Sequence, residues 1–265
     1  MLEKELILKR ISKIEDKLFM SKMLDKALKS LTSRSVTHSD FLDPYQRRLI
    51  EKTLSGCSDF DCIFDGGYTG AERVIAVFRP NFMSIEEDGI ERGVFFRLLN
   101  IKPRAGDNLS HRDYLGSLMG LGIKREKIGD IIVYTDWCAV VVLKDIADYI
   151  KYNLVKIGNT RVDVDVKSIH ELQVPEPKVK EINTTVASLR LDCISSAGFG
   201  ISRSKIAELI RVGKLNLNWE TADSPARHIK EGDTISVRGK GRIVLESIKG
   251  RTRKDRISVS IKKYI

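Results

Sequence analysis

Five cations punctuate one short stretch, RLDCISSAGFGISRSKIAELIRVGK at residues 190–214: Arg190, Arg203, Lys205, Arg211 and Lys214. Guanidinium forks pair bidentately with phosphate, and the N–H groups at a helix start add to such a grip. Serines and the glycines Gly198 and Gly200 give the stretch the look of a nucleotide loop. The chemistry on offer is therefore phosphate binding, by a small cofactor or by a polymer.

The elements that must position these residues can be read locally. Ser188 caps a short helix, LRLDCISSA, with Asp192 near its positive end; the chain turns at Gly198 and Gly200; Ser202 caps a second helix, RSKIAELIRVG, which Gly213 ends. At about 100° per residue, Ile206, Leu209 and Ile210 share one side, and Arg203, Ser204 and Arg211 line an adjoining edge. Lys205 lies apart from that edge. LNLNW alternates as a strand, KEGD turns, and TISVRG is a further strand.

Charge separates the two possible ligands. The chain has 265 residues and a net charge of +10, and residues 178–265 carry 19 Lys/Arg against 9 Asp/Glu, leaving 27 of each sign before them. An imbalance confined to one domain-sized region points to a polyanion, with nucleic acid ahead of an anionic membrane. No nucleotide cofactor is required.

Other constellations are weaker. Cys57, Cys62, Cys138 and Cys193 form no CxxC pair and read as buried thiols; the four histidines are scattered, so no metal site is expected. GGYTG lacks a lysine and reads as structural. No run is long and apolar enough to cross a bilayer, and MLEKELILKRISKIEDK alternates charge with apolar residues, so a cytoplasmic protein is expected.

Along residues 1–91, Ile7, Ile11, Ile14 and Leu18, then Leu24, Leu28 and Leu31, have helical spacing; Asp43 and Pro44 open another helix; DCIFDG and RVIAVF are strands. Residues 92–172 read β-α-β-β-α-β, with Ser110 and Asp113 as a capping box, which predicts a ferredoxin-like, RRM-like domain. WCAVVVLK lacks the aromatic pattern of an RNA platform, and Trp137, Phe95 and Phe96 read as core. Any RNA contact in this domain is assigned to loop cations, Lys124, Arg125 and Lys127. Residues 173–180 read as a linker and 181–265 as the basic module, so the class is α+β.

The basic module resembles the S4 RNA-binding domain: R-L-D, a helix, S-R, a second helix ending I-x-x-G, a strand with Leu before Asn where Val is usual, and later G-D-x-I. With FLDPYQ, FDGGYTGAER, HRDYLGSLMGLGIKREKIGDI and SVRGKGR, the chain resembles the bacterial YlmH family. That resemblance implies an N-terminal region, a central RRM-like domain and a C-terminal S4 domain with an extra β-hairpin. It places the RNA-contacting surface on Arg190, Arg203, Ser204, Lys205, Arg211 and Lys214. RGKGR (Arg238, Lys240, Arg242) and KGRTRKDR (Lys249, Arg251, Arg253, Lys254, Arg256) enlarge it, the second as a hairpin loop.

The resemblance further implies a monomeric, non-catalytic factor binding ribosomal RNA and tRNA on the large subunit carrying peptidyl-tRNA. Its setting would be ribosome-associated quality control, alongside other quality-control proteins and with a link to cell division. Two alternatives stand beside it. One is an S4-domain RNA-modifying enzyme such as a pseudouridine synthase, whose signature also contains R-L-D; the other is a basic scaffold at the membrane or septum.

Overall fold

The computed structural model describes residues 4–83, 91–104, 109–176 and 179–264. Two compact units divide the chain, residues 1–174 and 175–265.

In the first unit, α1 (Lys4–Lys9) is followed by α2 (Ile14–Ser33), which buries Met20, Met23, Leu24 and Ala27. Ile14 and Leu18, expected on the buried stripe, are 75% and 63% exposed. The helix breaks after Lys9 and restarts at Ile14, so the spacing read through residues 7–18 does not keep one phase. β1 (Thr37–His38), β2 (Phe60–Asp65) and β3 (Ile75–Pro80) form a three-stranded sheet with β3 central. α3 (Pro44–Leu54) begins as the sequence indicates, with Asp43 as its cap and Pro44 in the first turn, and Gln46 completes a capping box that the sequence reading did not include.

A single turn of helix, α4 (Arg92–Phe95), precedes β4 (Phe96–Pro103), where a continuous strand was expected. α5 (His111–Gly120), β5 (Ile128–Val133), β6 (Cys138–Leu143), α6 (Lys144–Asn153), β7 (Lys156–Ile157) and β8 (Thr160–Lys167) complete the predicted order, with β7 an addition. The sheet runs β5-β6-β4-β8-β7, all antiparallel. Alternation sorts its two faces. Leu99, Ile101, Val140 and Val142 pack with the α5 and α6 residues Tyr114, Leu118, Ala147 and Ile150. Phe96, Val141 and Leu143 pack instead with Phe41, Ile75 and Val77. β3 in turn sends Ala76 and Phe78 into the α2 core. The N-terminal sheet thus covers the face that an RNA-recognition motif leaves open, and the unit is layered helix, sheet, sheet, helix.

One half-buried carboxylate joins the layers. Asp130 on β5 accepts hydrogen bonds from the Tyr68 hydroxyl at 2.7 Å and from the Glu72 and Arg73 backbone at 2.8 and 3.1 Å. Burial and then Asp130 itself push the Tyr68 phenol up. Arg73 donates to the carbonyls of Ile128 and Phe41. GGYTG is structural, as expected: Gly66 leaves no room for a Cβ against the Arg73 carbonyl, and Gly67 takes φ +91°.

The second unit is a six-stranded antiparallel sheet ordered β11-β10-β12-β13-β14-β9. Its strands are β9 (Val179–Val186), β10 (Leu215–Leu217), β11 (Glu220–Thr221), β12 (Thr234–Val237), β13 (Gly241–Arg251) and β14 (Ile257–Tyr264). The stretch read as linker, 173–180, runs into a strand. Pro177 and Lys178 lie outside the described residues, but 179–186 is an edge strand paired along its whole length with β14. Its alternation is too polar to show in the sequence, with only Val186 fully buried.

α7 (Leu191–Phe199) and α8 (Arg203–Arg211) pack over this sheet. Gly198 is not a turn residue. It lies inside α7, where an added Cβ would sit 2.5 Å from Ile243 Cδ1, and Gly200 at φ +68° makes the turn. LNLNW is not one strand either: Asn218 and Trp219, at φ +52° and +67°, form the two-residue turn between β10 and β11. Of the thiols, Cys138 and Cys193 are buried, but Cys57 and Cys62 are only half-buried.

Candidate nucleic-acid interface

Ser188 does not cap α7. Arg190 occupies the cap position, and the first helical N–H groups, of Leu191 and Asp192, are satisfied by the carbonyls of Arg227 and Pro225 at 2.8 and 3.1 Å. A loop some 35 residues downstream does what a local serine was expected to do, while the Ser188 hydroxyl lies 3.4 Å from Cys193 Sγ. Ser202 caps α8 as read, accepting from the Lys205 N–H. Ile206 and Ile210 are buried beneath α8, and Arg203, Ser204 and Arg211 remain exposed.

The centre of the site is Asp192, whose side chain is only 8% exposed. Its Oδ2 accepts from Arg203 Nη2 at 2.6 Å, and its Oδ1 from Arg190 Nε at 3.1 Å. Burial alone would raise the carboxyl, but the hydrogen bonds from Arg203 and Arg190 outweigh it and hold Asp192 below the usual carboxylate range. The Arg203 and Arg190 side chains remain 53% and 43% exposed. One arginine at the cap of α7 and one at the start of α8 are thus fixed against one buried anion with donors left for another ligand. The sequence reading gave Asp192 only a helix-dipole role and missed this.

The other cations fall into separate groups. Lys205 turns to Glu208 at 2.7 Å, consistent with its place off the arginine edge. Arg211 and Lys214 flank Gly213, and the Arg238 N–H bonds the Lys214 carbonyl, which brings Arg238 and the neighbouring Lys240 to the same end of the sheet. Arg242 follows on β13, its guanidinium 4.4 Å from the Tyr264 ring centroid.

The basic hairpin loop forms as read, between β13 and β14, but much of its charge is engaged. Lys249 donates to Asn183 and Arg256 to Thr185, both on β9, and Arg251 pairs with Asp255. Arg253 and Lys254 stand exposed in the turn itself. Because Val186 pairs with Ile257, this turn shares an end of the sheet with the start of α7, whereas Arg238 and Lys240 lie at the other end of β13. At about 3.3 Å per residue, the two groups are roughly 30 Å apart along the strand.

In the first unit, the loop cations do not form a binding surface together. Arg125 is half-buried and donates to the carbonyls of Ile128 and Gly129; burial and then Arg73 push it down to about 10. Lys127 pairs with Asp40 at 3.1 Å and Asp145 at 2.9 Å; only Lys124 is exposed. Trp137 is not core. It is half-exposed at the β5–β6 hairpin and stacks on Tyr134 at 4.0 Å, whereas Phe96 is fully buried against Phe41 and Phe95 half-buried.

Two helices on an antiparallel sheet, with arginines at their meeting point, define an S4-type RNA-binding module. Comparison with known families agrees: residues 190–235 match the S4 domain, 96–171 match "Putative RNA-binding domain in YlmH", and 15–81 match "YlmH, N-terminal". The chain belongs to the YlmH family. It is 34% identical over 228 residues to a Bacillus subtilis protein named "Ribosome-associated protein quality control protein P2", covering 85% of this chain and 86% of that one. A solved structure, "Cell division protein ylmH from Streptococcus pneumoniae", is similar in fold, with a TM-score of 0.53 and 20% identity over 63% of this chain and 98% of that one. Among the described residues, no helix is long and apolar enough to cross a membrane.

Proposed function

We propose that this protein is a non-catalytic RNA-binding factor acting on the ribosome. Its target is ribosomal RNA and tRNA on large subunits carrying peptidyl-tRNA, in ribosome-associated quality control. The observation that carries the reading is the Arg190–Asp192–Arg203 cluster, which presents two ordered guanidinium groups from an S4 module. The name of the Bacillus relative supports the ribosomal setting. The factor works as a monomer in the cytoplasm and needs no cofactor.

The R-L-D triplet supports binding over RNA modification. A catalytic aspartate must reach its substrate, and Asp192 is buried and held by two arginines. A membrane scaffold would use the same cations on anionic lipid, and RNA competition against liposomes separates that reading. The cell-division link gives no further role to any residue of the basic module.

Co-sedimentation with purified large subunits tests the proposal. Folded Arg203→Ala/Arg211→Ala protein is expected to lose at least tenfold in affinity and to show a shallower dependence of log affinity on log salt, because each phosphate contact contributes roughly 0.7–0.9 to that slope. Wild-type binding by the double variant overturns the assignment. In-cell crosslinks are expected in large-subunit RNA and tRNA, and crosslinks confined to messenger RNA would sink the ribosomal reading.

A further inference from the structure

The central domain of the first unit cannot use the sheet face that RNA-recognition motifs use, because Phe41, Ile75 and Val77 cover it. Its opposite face is filled by α5 and α6. What stays open is an edge. β7 pairs only with the first two residues of β8, at Lys156↔Arg161 and Ile157↔Thr160, and beyond it a cleft of about 860 Å³ opens between β8 and the end of α6.

The lining of this cleft carries four cations, Arg104, Lys151, Lys156 and Arg161, against Asp163 and Asp165. Lys156 and Arg161 are directly opposed across β7 and β8 and both exposed, a like-charge pair that weakens the hairpin unless an anion relieves it. The Arg104 N–H bonds the Arg161 carbonyl at 2.9 Å, which sets a third cation alongside. Arg104 is engaged by both carboxylate oxygens of Asp163, with bonds of 2.6, 2.9 and 3.0 Å, so those charges cancel. Lys151, Lys156 and Arg161 then face only Asp165 among the lining residues, a positive excess inside a sequence region with equal numbers of each sign. Tyr152 projects here with 75% of its surface exposed, and Lys151 Nζ lies 5.8 Å from its ring centroid.

We infer that this cleft is a second RNA site, which takes an unpaired segment by stacking a base on Tyr152 and holding the flanking phosphates on Lys156 and Arg161. A solvent-facing aromatic ring beside cations is the arrangement that binds single strands, since every base offers a π face and only an unpaired base can use it. An acidic polypeptide would satisfy the cations but leave the tyrosine without a role. The inference rests on the RNA-binding reading above and uses a different part of the chain.

The test uses the full-length protein and a 12-nucleotide single-stranded RNA carrying 4-thiouridine, with crosslinks mapped by mass spectrometry and affinity read by fluorescence anisotropy. A crosslink to the peptide containing Tyr152 is expected in the wild type and equally in the Arg203→Ala/Arg211→Ala variant. In that variant background, Lys156→Glu/Arg161→Glu is expected to weaken binding about tenfold and Tyr152→Ala about fivefold. The same sequence as a duplex gives no Tyr152 crosslink. Crosslinks confined to residues 190–256, with affinity unchanged by Lys156→Glu/Arg161→Glu, overturn the inference. So does unchanged RNA affinity accompanied by loss of binding to an acidic peptide such as oligoglutamate. A Tyr152 crosslink that persists while Arg203→Ala/Arg211→Ala leaves large-subunit binding intact rejects the S4 assignment and keeps the cleft.

Discussion

Arg203, the first residue of α8, closes onto Asp192 in the first turn of α7 at 2.6 Å, and Arg190 meets the other carboxylate oxygen at 3.1 Å. One nearly buried anion thus sets the position of two exposed cations. Asp192→Asn keeps the shape and removes the charge. Hydrogen bonds to charged groups contribute about 1.5–3 kcal/mol each, so a loss of about 2 kcal/mol in stability is expected in urea unfolding. RNA affinity is expected to fall although net positive charge rises. Tighter binding by the variant would show that charge matters at this site and order does not.

The same carboxylate has a pH signature. Its folded-state pKa is depressed, so its contribution is complete above the unfolded value of about 3.9 and is lost as pH falls through the folded value. The stability gap between wild type and Asp192→Asn is therefore expected to stay level from pH 7 to about pH 5 and to narrow below about pH 4. A gap that widens in acid contradicts the ion-pair account.

Two glycines separate rigid from yielding surroundings. At Gly66 an added methyl meets the Arg73 carbonyl, which is fixed backbone, while at Gly198 it meets the Ile243 Cδ1 end of a side chain. Overpacking costs about 1–3 kcal/mol. Gly66→Ala is expected near the top of that range and Gly198→Ala near the bottom, as read by thermal unfolding. The reverse order would mean that α7 is held more tightly on β13 than the turn is held on β5.

The features legible in the sequence were local ones. The Asp43 cap, the Ser110 capping box and the β-α-β-β-α-β order depend on residues within a few positions of each other, and they stand in the structure. So does the amphipathic α8, with Ile206 and Ile210 inward and Arg203 outward. What could not be read depends on distant partners. The α7 start is capped from Pro225 and Arg227; β9 is held by backbone pairing to β14 despite its polar side chains; Trp219 sits in a left-handed turn for which tryptophan is no signal. The candidate site divides the same way. The residue types were visible, but the partnering of Lys127 and Arg256 by remote acceptors was not.

The last expectation concerns the basic groups at the two ends of β13. Arg253 and Lys254 share an end of the sheet with the Asp192 cluster, and Arg238 and Lys240 lie roughly 30 Å away by strand length. Sites that far apart with no shared partners act additively. If both groups touch one extended RNA, Arg253→Ala/Lys254→Ala and Arg238→Ala/Lys240→Ala should each lower the salt slope by roughly 1.5, and the quadruple variant by about twice that. Should only one pair change the slope, the RNA footprint is confined to that end of the sheet. The measurement is affinity for large-subunit RNA at several salt concentrations, with circular dichroism confirming that each variant is folded. Because these four side chains are exposed, their removal is expected to leave stability within about 0.5 kcal/mol of wild type, so a changed slope reports on the interface itself.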